Sequence, residues 1–161
     1  MKITLHSNYE HRTNAVSLTS NTLDLFQEMS LAAKAQKGLH RNPKILPAET
    51  MIEMATIRGA EAVGLQDQIG SLEVGKQADF IAIKLKNLHQ LPVYDPVSTI
   101  VHATNARDVD LVVVGGNVLV QEGSLTTMDE EEVISEALKA GKEVLERANL
   151  ANCIHSKWPV E

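Results

Sequence analysis

Gly70-Ser71-Leu72-Glu73-Val74-Gly75-Lys76-Gln77-Ala78-Asp79-Phe80-Ile81-Ala82-Ile83-Lys84-Leu85 is the stretch that decides how this chain is read. Its two glycines mark turns. Between them, Ser71 to Val74 reads as a short strand that must reverse at Gly75-Lys76, because glycine enters φ > 0 without a Cβ clash. Phe80, Ile81 and Ile83 then form a nearly continuous apolar run, the pattern of a strand covered on both faces.

Downstream, Asn87 to Pro96 is a loop with two X-Pro pairs, and Asp95 starts a short helix from Pro96 to Thr104. Leu111 to Val120 holds two β-branched runs around Gly115-Gly116-Asn117, which predicts a tight hairpin. Thr127 and Glu130 have capping-box spacing. They open a long helix to about Asn149, with Val133, Ile134, Ala137, Leu138, Val144, Leu145 and Ala148 as its buried stripe. Upstream, apolar spacing predicts a helix from Asn21, capped by Ser20 or Asn21 and ended by Gly38. A second helix runs from Pro47 to Gly64. Proline suits its first position and glycine its C-terminal cap. Gly59 and Ala60 leave room for another backbone to approach. Residues 1–20 carry no clear pattern.

Composition bounds the function classes. The chain has 161 residues, a net charge of −6 and one cysteine. The acidic balance argues against a nucleic-acid surface, which needs clustered Lys and Arg. A lone Cys153 excludes an internal disulfide and a cysteine metal site. No apolar run approaches the roughly 20 residues of a membrane span, and the N-terminus lacks a signal-peptide pattern. A cytoplasmic protein without membrane or nucleic-acid partners is the expectation.

Four segments in order carry a resemblance: LDLFQEMSLAAKAQKG (23–38), LPAETMIEMATIRGAEAVGL (46–65), GSLEVGKQADFIAI (70–83) and YDPVSTIVHATNARDVDLVVVGGNVLV (94–120). Together with the acidic-capped final helix they resemble the C-terminal third of metal-dependent amidohydrolases, in the branch of cytosine, guanine and S-adenosylhomocysteine-type deaminases and triazine hydrolases. The likeness covers about Asn21 to Asn149. It implies a mixed α/β fold: outer helices of a partial (β/α)8 barrel, then part of a composite β-sandwich and a C-terminal helix. A whole barrel takes roughly 250 residues. The implied organisation is a divergent segment 1–20, a helical remnant 21–66, a sandwich-like part 67–126, a helix 127–149 and a tail 150–161, packed as one compact domain.

In the family, the strand before the first of these helices ends in Gly-Thr-Asp-Gly, whose Asp binds zinc or another divalent metal and handles a proton of the attacking water. Counting back from Leu23, Ala15 occupies that place. The other ligands are a His-x-His pair and two further histidines on earlier strands, and no His-x-His occurs among the 161 residues. No catalytic, cofactor or metal-binding residue is therefore assigned.

The remaining candidates are weighed against plain structural roles. His6 and His11 stand five apart in a polar segment and read as solvated loop histidines before a weak surface metal site. His102 lies in an apolar run and reads as a half-buried structural residue. Cys153 and His155 could pair to activate a thiolate, but they lack a third orienting group. The other two histidines are His40 and His89. Lys76 and Asp79 read as a turn lysine and a loop-stabilising carboxylate. Gly115-Gly116 is hairpin and not phosphate loop. Asp129 to Glu132 match a helix dipole.

Two functions are expected from these residues. The first is a truncated amidohydrolase relative without activity of its own, a folded remnant or an assembly module. The second is a carbon–nitrogen hydrolase of the deaminase type, active only with a barrel-containing partner chain that supplies the metal ligands. The helices at 21–38 and 47–64 carry Leu23, Phe26, Met29, Ile52, Ala55 and Val63, which would face missing barrel strands. Either the first twenty residues fold back over these faces or two copies bury them against each other, and a homodimer across those helices is the expectation.

Overall fold

A computed structural model of the protein describes residues 23–150. The fold is mixed α/β, as expected. Among the described residues its longer elements are α1 (Leu25–Leu39), α2 (Ala48–Ala55), α3 (Ile57–Ala62), β1 (Phe80–Ile83), α4 (Pro96–His102), β2 (Val109–Val114), β3 (Asn117–Gln121), β4 (Ser124–Leu125) and α5 (Glu130–Arg147). The chain divides into two compact units, Met1–Ser124 and Leu125–Glu161.

The core of the first unit is helical. Phe26, Met29 and Ala33 of α1 meet Met51, Met54 and Ala55 of α2, and Val101 of α4 closes the cluster. Met51 and Val101 are fully buried. The apolar faces of the two predicted helices are thus covered largely by each other and by α4. Ile52 packs at the edge of the cluster, and of the six side chains expected to face missing strands only Leu23 and Val63 stand exposed. This removes the premise on which a dimer across these helices was expected.

Local chemistry explains where the helices begin and end. Asp24, and not Ser20 or Asn21, caps α1: its carboxylate accepts from the Phe26 and Gln27 amides at 2.9 and 3.3 Å. Gly38 lies inside α1, and the stop comes at Arg41, which holds φ 47° while Asn42 N–H bonds back to the Lys37 carbonyl. The predicted 47–64 helix is two helices. Thr56 Oγ bonds the Ile52 carbonyl at 2.7 Å, and its own backbone leaves helical space. Pro47 caps α2 from outside the first turn. Gly64 does end α3, with φ 73° and Leu65 N–H returned to the Ala60 carbonyl. The close approach at Ala60 comes from the chain itself. A Cβ on Gly70 would stand 2.8 Å from Ala60 Cβ and 3.0 Å from Ile57 Cα.

The sheet is antiparallel, in the order β1-β2-β3-β4. Phe80 pairs with Val113 and Ile81 with Val112, while Val114 pairs with Asn117 across Gly115-Gly116. Both glycines have positive φ, 56° and 80°, as a two-residue type I′ hairpin requires. Two expectations fail here. Ser71 to Val74 forms no strand. It is a turn in which Lys76 N–H bonds the Glu73 carbonyl and Gly75 sits at φ 99°. β1 is not covered on both faces, because Phe80 and Ile81 are 38% and 48% exposed. Only one end of the sheet, Ile83 and Val109, meets the helical core.

In the second unit, Asp129 and not Thr127 caps α5, accepting from the Glu131 and Glu132 amides. Asn149, at φ 53°, ends the helix. No residue of α5 is buried, and the predicted buried stripe is exposed apart from the half-buried Leu145. No helix of the described residues is long and apolar enough to cross a membrane.

Candidate functional site

The densest polar cluster among the described residues lies where two short 3-10 helices, Leu88–Gln90 and Ala106–Asp108, come together. Each begins with an asparagine cap and closes with a side chain returned three residues later. Gln90 Oε1 accepts from Asn87 N–H at 3.1 Å, and Asp108 Oδ2 accepts from Asn105 N–H at 2.9 Å. Asp108 joins the two turns. Its carboxylate is buried and also accepts from Asn87 Nδ2 at 2.7 Å, and it pairs with His89 Nε2 at 2.9 Å. Burial pushes the Asp108 carboxyl up. The bonds from His89, Asn105 and Asn87 together outweigh that and hold it below the ordinary carboxylate range.

A second buried carboxylate reaches the same loop from the start of α1. Asp24 Oδ2 accepts from Ala106 N–H at 3.0 Å, bridging 82 positions of sequence. Gln90 Nε2 donates to Thr104 Oγ at 3.3 Å. The two carboxylates clamp residues 105–108 between α1 and the loop before α4.

Chemically, Asp108 and His89 form a carboxylate–imidazole pair, which in a hydrolase can orient a general base. Here the same ring nitrogen that meets Asp108 also lies 3.4 Å from Asn105 Nδ2. That nitrogen is engaged by the protein. The pair acts on the fold: it holds the two turns in register.

The candidates read from the sequence fall elsewhere. His6, His11 and Ala15 lie outside the described residues, as do Cys153 and His155. His40 is the exposed C-cap of α1. His102 ends α4 half-buried. Its burial, with repulsion from Lys37 and Lys34, holds it below the ordinary histidine range. Lys76 Nζ donates to Ser71 Oγ at 2.6 Å and pairs with Glu73 at 3.3 Å. The bonds from Ser71 and Lys76 lower the Glu73 carboxyl. Asp79 accepts from Gly115 N–H at 2.6 Å and so ties the start of β1 to the hairpin turn. Sequence reasoning missed Asp108, Asn87, Asn105 and the reach of Asp24. The spacings Asn87-x-x-Gln90 and Asn105-x-x-Asp108 were the available signal.

A divalent metal needs several His, Cys, Asp or Glu donors at one point. Among the described residues no three such side chains gather to hold one. The donor set of residues 23–150 does not fit a zinc centre.

A sequence profile of the amidohydrolase family matches residues 13–119. The chain belongs to the amidohydrolase family. It is 39% identical over 127 residues to a 5-methylthioadenosine/S-adenosylhomocysteine deaminase of Acetivibrio thermocellus, covering 79% of this chain and 30% of that protein. It is 42% identical over 131 residues to a 5′-deoxyadenosine deaminase of Methanosarcina acetivorans, covering 81% and 30%. A crystal structure of an adenosine deaminase from Xanthomonas campestris with bound zinc superposes with a TM-score of 0.72 at 31% identity, covering 74% of this chain and 27% of that one. This amidohydrolase chain therefore spans under a third of the length of these relatives.

Proposed function

We propose that this polypeptide by itself is catalytically silent and serves as a folding and assembly portion of the amidohydrolase architecture. The observation that carries this reading is the donor inventory. The 161 residues contain no His-x-His, and Ala15 stands where the family pattern has its metal-binding Asp. The buried ionisable groups that the described residues do contain, Asp24 and Asp108, are spent on backbone amides and on the His89 ring. The direct test is ammonia release from 5′-deoxyadenosine, 5′-methylthioadenosine and S-adenosylhomocysteine by zinc-supplemented protein. The expected rate equals the blank. Turnover that needs zinc and stops with a chelator would overturn the reading.

A second reading is favoured by one observation, the 39% and 42% identity to named deaminases. It makes the chain one portion of a hydrolase that removes the ring amine of an adenine nucleoside. The histidine ligands would come from residues outside these 161. Co-expression with a segment that carries His-x-His and the further ligands, followed by the same ammonia assay, separates the two. Activity only in the mixture supports the second reading, and silence in both supports the first.

A further inference from the structure

We infer that α5 is the contact surface for a second copy of this chain, paired antiparallel about Gly141. Three independent features of the helix point there. The first is exposure. Val133, Ile134, Leu138 and Val144 share one face at helical spacing and are 46, 52, 72 and 52% exposed. A stripe of that size on a water-facing helix marks a contact surface.

The second is shape. The middle of the stripe is small, Ala137, Ala140 and Gly141, and its ends are large. Glycine weakens a helix interior relative to alanine, and nothing among the described residues calls for it: a Cβ at 141 would meet none of them. A helix crossing centred on Gly141 uses the missing side chain. It sets Leu138 against Val144 of the other copy and Ile134 against Ala148 of the other copy.

The third is charge. From Asp129 to Leu138 there are five carboxylates, Asp129, Glu130, Glu131, Glu132 and Glu136, and no cation. From Lys139 to Arg147 there are three cations, Lys139, Lys142 and Arg147, against Glu143 and Glu146. A parallel pair would align like halves. An antiparallel pair sets the acidic half against the basic half and opposes the two helix dipoles. Glu136 and Arg147 are eleven positions apart, about three full turns, so they lie on one edge of the stripe. Reversal about Gly141 brings Glu136 of one copy beside Arg147 of the other. Within one chain these two are about 16 Å apart along the axis.

Sedimentation equilibrium on the full chain from about 1 to about 200 µM tests this, since one helix pair lies at the low end of specific interfaces. The expected result is a monomer–dimer equilibrium between 17.6 kDa and twice that mass. Leu138→Glu removes the dimer with the far-UV spectrum kept. Glu136→Arg and Arg147→Glu each weaken it about tenfold, and the double exchange restores it. Gly141→Leu, which adds bulk at the crossing, also weakens the dimer. A clean monomer at every concentration overturns the proposal. So does a dimer that ignores Leu138→Glu, or one that the double exchange fails to restore.

Discussion

Asp108 shows how one buried carboxylate organises two turns. It receives three donors, Asn87 Nδ2, Asn105 N–H and His89 Nε2. Truncation to alanine leaves two part-buried donors without a partner, while the half-exposed His89 turns to water. Asp108→Ala should cost about 2–3 kcal/mol in urea unfolding. The pH dependence follows from the direction of its shift. The folded carboxyl sits below the ordinary aspartate value of 3.8 that it has in the unfolded chain. Its contribution is therefore fully present above about pH 5 and is lost as pH falls below about 4 and through the folded value. The acid limb of the stability profile should be shallower in Asp108→Asn than in the parent. Half of this site was legible in the sequence. The caps Asn87 and Asn105 stand at readable spacing from Gln90 and Asp108. The bond that joins the two turns spans 21 positions, and no local pattern encodes it.

At the scale of elements, turns were legible and pairings were not. Gly64, Gly75 and Gly115-Gly116 all adopt the positive φ that their neighbours demand. That demand is local and so is visible in sequence. Ser71 to Val74 has strand-like residues but finds no partner strand, and strand formation depends on a partner that sequence spacing does not name. The same limit hid Asp24. It caps α1 while reaching Ala106 across the fold. Gly70 lies at a contact between elements. It has φ 93° and no room for a Cβ beside Ala60 and Ile57. Gly70→Ala should lower stability by about 1–3 kcal/mol through overpacking and backbone strain, read as a shift in the urea midpoint at unchanged slope. Gly38→Ala, in open space inside α1, should raise it by up to about 1 kcal/mol.

Across the whole molecule, the helical cluster of α1, α2 and α4 accounts for most of the apolar surface that sequence reasoning could not place. Met29, Met51 and Val101 bury one another. Among the apolar side chains that stay exposed are Leu23 and Val63 of the first unit, Phe80 and Ile81 of the sheet, and the stripe of α5. The family architecture is thus carried by packing and turn chemistry, and the buried polar contacts serve the fold. Among residues 23–150 no three His, Cys, Asp or Glu side chains gather to hold a metal, and the proposed silence of the polypeptide extends that to the full 161 residues. Zinc stoichiometry tests it most directly: the purified chain is loaded with zinc, passed through gel filtration and assayed for retained metal. The account predicts far less than one zinc per chain. One equivalent retained, and released on unfolding, would contradict it.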